Sequence, residues 1–155
     1  MEKVCLTSVD DFMQKVGESL GTSDWLLIDQ EMINRFAEAT MDHQWIHVDA
    51  ARAKQKSPLH TTIAHGYLTL SLIIHLLESA FDTKNVSQIV NFGIDKFSFQ
   101  APVPVNSRVR IHATLKSALD LGVACKARIQ CKMEIENQKK SAFEGLITLV
   151  YYFEN

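Results

Sequence analysis

No excess of basic residues marks this chain. Sixteen Lys and Arg stand against eighteen Asp and Glu, a formal charge of −2. Without a positive surplus there is little to neutralise a phosphate backbone, so nucleic acid is not an expected partner. The charges are interspersed, and none forms a block long enough to act as an interaction tail. Cysteine is scarce too: Cys5, Cys125 and Cys131 show no C-x-x-C spacing. Cys125 and Cys131 would sit ~20 Å apart on one strand at ~3.4 Å per residue, too far for a disulfide. A reduced, cytoplasmic chain is the expectation. The opening MEKVCLTSVDDF lacks an apolar segment and carries acids early, unlike a signal peptide. The most apolar run, Gly66 to Phe81, is interrupted by Thr69, Ser71, His75 and Glu78 and is too short to span a bilayer. A zinc site needs three or four converging ligands and no cysteine pair is available for one, so no metal is expected. Repeats and low-complexity segments are missing as well.

What is present suits one globular domain over residues 1–155, since 46% hydrophobic and 22% charged residues lie outside the disordered range. The two halves differ in period. Ser8 reads as the cap of a helix carrying Phe12, Met13, Val16 and Leu20 and stopped by Gly21. Trp25 to Ile28 is a short strand, and Asp29 caps a second helix with Ile33, Phe36, Ala37 and Thr40 on one face. Met41 to Thr62 is irregular, with a short helical piece at Asp49 to Lys54. Gly66 to Phe81 reads as a helix apolar nearly all round, which must be surrounded by protein; His75 within it reads as a satisfied core histidine. The period then becomes two. Ile89 to Phe99 is a strand ended by Pro102 and Pro104. Val109, Ile111, Ala113 and Leu115 form one inward row; Val123, Cys125, Ala127, Ile129, Cys131, Met133 and Ile135 form another. After the polar turn Asn137 to Lys140, Phe143 to Phe153 is apolar on both sides. Four long strands at meander spacing follow one apolar helix. An α+β fold, a curved antiparallel sheet wrapped around that central helix, buries it best. That is the hot-dog arrangement.

The irregular segment holds Asp42, His43, His47, Asp49, His60 and, just beyond, His65, and functional groups concentrate on such loops. Asp42 and His47 are five apart. On a helix they would diverge by ~140°, and on a strand they would face opposite sides. Only an irregular backbone between them lets the two converge.

Phe36 to Asp49, FAEATMDHQWIHVD, followed by Thr61 to Leu72, TTIAHGYLTLSL, resembles the MaoC-like (R)-specific enoyl-CoA hydratases, with the DHQWIH wording closest to their nodulation protein N-like branch. The resemblance runs from about Val16 to the C-terminus and includes Asn91-Phe92-Gly93 and Pro102 to Val105. It implies a hot-dog fold, usually dimeric, that adds water across trans-2-enoyl-CoA to give the (R)-3-hydroxyacyl-CoA without a cofactor. It also implies Asp42 and His47 as the catalytic pair and Gly66 as the backbone donor to the thioester oxygen. Asn91 is a further candidate for the oxyanion or substrate contact. The sequence departs from the family at Met41, commonly Gly; at Ser57 to His60; at Ser98, often Arg; and at Asn106, often Gly.

The chemistry suits the residue types. A carboxylate and an imidazole gripping one water can serve as base and proton source on one face. A helix start offers unpaired N–H groups to an enolate oxygen, and a residue without Cβ lets a thioester approach. Each residue also has a plainer reading. Asp42 could cap a turn, His47 could be packed against a carbonyl, and His65 could hold the loop at the helix entrance. His43 and Gln44 are expected to be exposed or peripheral, Trp45 and Ile46 to anchor the loop, and Asp49 to cap the short helix. Two other functions compete: a hot-dog acyl-CoA thioesterase, whose acid would have to be Glu78 near the helix end, and a non-catalytic acyl-binding partner, which would be expected to lack Asp42 or His47. The substrate expected is an acyl thioester of CoA or of acyl carrier protein, bound by a homodimer.

Overall fold

A computed structural model describes residues 3–154. In chain order its elements are β1 (Cys5–Leu6), α1 (Val9–Gln14), β2 (Ser19–Thr22), β3 (Leu26–Ile28), α2 (Gln30–Thr40), α3 (Trp45–Val48), α4 (Ala50–Lys56), α5 (Gly66–Ser71), α6 (Ile73–Ala80), β4 (Asp82–Thr83), β5 (Val86–Phe99), β6 (Ser107–Asp120), β7 (Ala124–Ile135) and β8 (Phe143–Phe153). The main sheet runs β2-β6-β7-β8-β5, with β3 also paired to β6, and every pairing in it is antiparallel.

The period-two rows become the inner face of this sheet. Val109, Ile111, Ala113 and Leu115 on β6 are buried, as are the six alternate positions from Cys125 to Ile135 on β7. They share a core with Leu68, Ile73, Leu76, Leu77 and Ala80 of α5 and α6. This is the hot-dog arrangement expected from the sequence. Burying the two thiols pushes Cys125 up to about 11 and Cys131 up to about 12, so both stay protonated and behave as small apolar side chains. Phe143 to Phe153 is buried on both faces because β8 is an inner strand between β7 and β5.

Several expectations are corrected. The four long strands are not a simple meander: β6, β7 and β8 are, but β5 lies beyond β8, and residues 100–106 carry the chain from it across the start of α5 to β6. Val123 is exposed because it precedes β7 in a turn where Gly122 takes φ 84°. The first helix is capped by Ser8, whose Oγ accepts the Asp11 N–H at 3.2 Å, but it ends at Gln14. Gly17 then adopts φ 92° and donates to Leu115 O at 2.7 Å, so sheet pairing captures Leu20 and Gly21 into β2. Gly21 is there because a Cβ would collide with the Ala80 carbonyl at the end of α6. The apolar helix is two segments meeting at Leu72, and it is not enclosed all round. Tyr67, Ser71 and His75 recur at four-residue spacing on a face turned away from the sheet, which leaves His75 exposed rather than in the core. No helix among the described residues is long and apolar enough to cross a membrane.

Candidate active site

The site is assembled where α2 ends. Asp29 Oδ1 accepts the Met32 N–H at 2.8 Å and starts the helix, while Ile33 and Ala37 bury its inner face. At the far end Met41 takes a left-handed φ of 60° and breaks it. Residues 42–44 are irregular, and α3 then makes a single turn that carries His47 inward. A left-handed residue and one helical turn thus bring two side chains five apart to one place. Met41 is 82% exposed, so its side chain gains nothing from burial. The left-handed conformation costs a non-glycine residue roughly 1–2 kcal/mol, offset in part by the extra entropy that Gly has in the unfolded chain. Met41→Gly is expected to stabilise the fold by about 1 kcal/mol, read as a rise in Tm of ~2–4 °C by calorimetry. Asn106, the other departure at a position often held by Gly, also has a left-handed φ, 65°, which Asn tolerates well.

His47 is held at its ring and at its backbone. Its Nδ1 lies 2.7 Å from the Ile63 carbonyl, so that nitrogen carries the proton and Nε2 is left free as a base. Its own carbonyl accepts from Gln30 Nε2 at 2.8 Å, and Gln30 Oε1 accepts from Thr62 Oγ1 at 2.5 Å. Burial pushes the imidazole below its ordinary value of 6.5; the Ile63 carbonyl opposes this, His65 adds to it, and Asp42 opposes it. A base that must be neutral to act then stays competent below pH 6.5. The acid limb of a kcat/KM profile should accordingly fall at a pH below 6.5. Stability follows the same sign: the unfolded state binds the proton first, so this group destabilises the fold as pH drops from 6.5 through the folded value.

Asp42 stands at the rim with its side chain half exposed. One oxygen accepts a long bond from the Gln44 N–H at 3.4 Å, and the other lies 4.0 Å from His65 Nε2. His65 is buried, donates Nε2–H to the Asp42 carbonyl at 2.9 Å, and stacks on the His47 ring at 3.8 Å between centroids. Asp42, His47 and His65 each offer a ligand atom within 4.8 Å of the others. His65 Nε2 is committed to the carbonyl, however, and with that nitrogen as the ligand the group presents two free ligands, fewer than the three protein ligands of a catalytic zinc.

Behind them lies a cleft of about 330 Å³ whose walls include His47, Ile63, Gly66, Thr69, Phe99 and Val103. Gly66 is the first residue of α5, and its N–H has no hydrogen-bond partner among the described residues. A Cβ there would stand 3.0 Å from the Phe99 ring. His47 and Gly66 therefore line one cleft, and the Asp42 carboxylate lies within 4.8 Å of a His47 ring nitrogen beside it. Asn91 is not brought there; it lines a separate apolar crevice with Leu70, Ile73 and Ile147. The remaining residues match their plainer readings. His43 is exposed and 3.7 Å from Glu38, Trp45 stacks under Arg52 at 4.7 Å, the Ile46 carbonyl accepts from Ile63, and Asp49 caps α4 by accepting the Arg52 N–H at 2.9 Å. Gln30 and Thr62 escaped the sequence reading. A polar residue just after the Asp29 cap looks like an ordinary first-turn residue, and only the fold shows it bracing His47.

Comparison with known proteins identifies the family. Residues 11–141 match the MaoC like domain. The chain is 46% identical over 136 residues to 3-hydroxyacyl-thioester dehydratase Z of Mycobacterium tuberculosis, covering 87% of this chain and 89% of that protein. It is 36% identical over 156 residues to Nodulation protein N of Rhizobium leguminosarum bv. viciae, covering 96% and 94%. Among solved structures, the (R)-hydratase from A. caviae involved in PHA biosynthesis superposes with a TM-score of 0.70 at 21% identity, over 86% of this chain and 94% of that one. At that identity the likeness speaks for the fold, which is a hot-dog domain. The matched span goes further: the chain belongs to the MaoC-like domain family.

Proposed function

We propose that this protein is a hydro-lyase that adds water to a trans-2-enoyl thioester, of CoA or acyl carrier protein, to give the (R)-3-hydroxyacyl product, and runs in reverse as a dehydratase. The observation that carries the reading is a cleft lined by a free imidazole nitrogen and an unpaired backbone N–H, with a carboxylate within 4.8 Å of that imidazole. Asp42 and His47 hold one water. As its oxygen bonds to C3 of the enoyl chain, one O–H bond breaks toward the pair and the C2–C3 π electrons move onto the thioester oxygen. The Gly66 N–H stabilises that enolate, which collapses as the pair returns a proton to C2. The pair ends in its starting protonation state, and no cofactor is consumed. The names of the relatives, a dehydratase of 3-hydroxyacyl thioesters and an (R)-hydratase, fit this chemistry.

A thioesterase is less well supported. Glu78, the acid of α6, is exposed and lines a different crevice with Leu77 and Tyr151, away from His47. A non-catalytic partner would leave the braced and buried His47 without a task. Crotonyl-CoA and a longer trans-2-enoyl-CoA, assayed together for hydration and for free thiol, separate these readings. The expected result is loss of the conjugated double bond with no thiol released; thiol release without hydration would replace the proposal by the thioesterase.

The active form is proposed to be a homodimer. Along β5 the sheet is open, and Val90, Phe92 and Ile94 are 42%, 63% and 50% exposed on it. A long apolar edge of this kind is normally paired or covered. Light scattering should report about twice the 17.5 kDa chain mass, and Phe92→Lys with Ile94→Lys should shift it toward the monomer. A wild-type monomer with full activity would refute the assignment.

A further inference from the structure

The His65 side chain is a buried group beside the site that the proposed reaction does not use. It comes from the residue before α5, only 2% exposed, and its two faces meet two aromatic rings: His47 at 3.8 Å and 25°, and Phe36 at 5.0 Å and 54°. Its Nε2–H is donated to the main-chain carbonyl of Asp42, across 23 residues of sequence. Its Nδ1 is buried and has no hydrogen-bond partner among the described residues. A purely structural histidine in such a place would be expected to satisfy both nitrogens. Leaving one lone pair unmatched costs stability, and an aliphatic residue would fill the space without that cost.

We infer that His65 is a positioning residue for the Asp42–His47 pair: its hydrogen bond fixes the backbone of Asp42 while its ring fixes the plane of His47, so that one side chain sets the distance between the two reacting groups. The inference rests on the proposed reaction for its kinetic consequence, but not for its physical one. Asp42 has no strong anchor of its own, since its only bond within the loop is the 3.4 Å contact to Gln44. Without His65 the half-exposed carboxylate would be free to swing. The stacked ring also covers His47 and so adds to the burial that disfavours its protonated form. Asp42, from the end of α2, and His65 are the charged or titratable groups that bear on His47, and the opposite wall, from Phe99 to Val103 with Ala142, contributes none.

Two substitutions separate the roles. His65→Gln can still donate to the Asp42 carbonyl but has no ring; His65→Phe keeps a ring and loses the donor. In His65→Phe, Asp42 is released, and kcat should fall by ~10²-fold, the cost of a misplacement of about 1 Å, with KM changing less. In His65→Gln, kcat should recover to within several-fold of wild type. The His47 imidazole, followed by NMR without substrate, should titrate at a higher pH than in wild type, because the ring that covers it is gone. The NMR arm needs no turnover, so it stands even if wild type fails to hydrate any enoyl thioester; that failure would sink the proposed reaction alone. Should His65→Phe not fold, the titration in folded His65→Gln decides. An unshifted His47 titration in that variant overturns the inference, as does wild-type kcat in folded His65→Phe.

Discussion

Asp42→Asn and His47→Gln should each lower kcat by ~10²–10⁴, the usual scale for a positioned acid or base. The double variant should be little slower than the slower single one. This follows from geometry rather than from the residue types alone. In the proposed reaction one water is shared between a rim carboxylate and an inward imidazole whose ligand atoms lie within 4.8 Å, so removing either partner leaves the other with nothing to complete. The substitutions keep hydrogen-bonding capacity and near-native volume, and Gln30, Thr62 and Ile63 remain to hold the loop. Both variants should therefore melt close to wild type, and steady-state kinetics on the three proteins measure the coupling. Losses that multiply would mean that the two residues act on separate steps.

The second large effect is expected at Gly66, and the structure supplies its control. His65 has φ −59° and ψ 137°, the extended conformation that a residue before proline prefers, so Gly66→Pro can be accepted at the first position of α5. Pro removes the N–H and adds a Cβ 3.0 Å from the Phe99 ring, whereas Gly66→Ala adds the same Cβ and keeps the N–H. Phe99 is about half exposed and has room to shift. The Pro variant should therefore lose ~10²–10³ in kcat relative to Ala, or roughly 3–4 kcal/mol of transition-state stabilisation. KM should move less, because the bond strengthens as the enolate develops. Equal kcat in the two folded variants would remove the Gly66 N–H from the mechanism.

Much of this was legible in the chain. Alternation along β7 marked seven inward positions, and the six from Cys125 to Ile135 are buried, because a half-buried strand leaves a simple periodic record. The caps at Ser8, Asp29 and Asp49 were readable because a side-chain oxygen three residues ahead of an N–H is a local feature. What failed was non-local. Leu20 and Gly21 looked helical until pairing with β6 claimed them. His75 looked buried because composition cannot say which face of an apolar helix the sheet leaves uncovered. Asn91 was a candidate because its strand should pass near the cleft; β5 does reach the cleft, but at Phe99, and Asn91 lies eight residues earlier along it. At the site, Asp42 and His47 were found through a resemblance, since neither helical nor strand spacing unites residues five apart. Met41 was noticed as a departure, and its φ of 60° gives the departure a physical meaning. The bracing by Gln30, across 17 residues to His47 and 32 to Thr62, has no sequence signature at all.

Hydration of crotonyl-CoA in deuterium oxide, with the product's configuration resolved at both carbons, tests the shared-water mechanism most directly. If one water held by Asp42 and His47 supplies both the hydroxyl and the C2 hydrogen, the product is (R)-3-hydroxybutyryl-CoA with deuterium at C2 on the same face as the new hydroxyl. Anti addition, or an (S) product, would contradict the account, because a base and a proton donor on opposite faces cannot both be this pair.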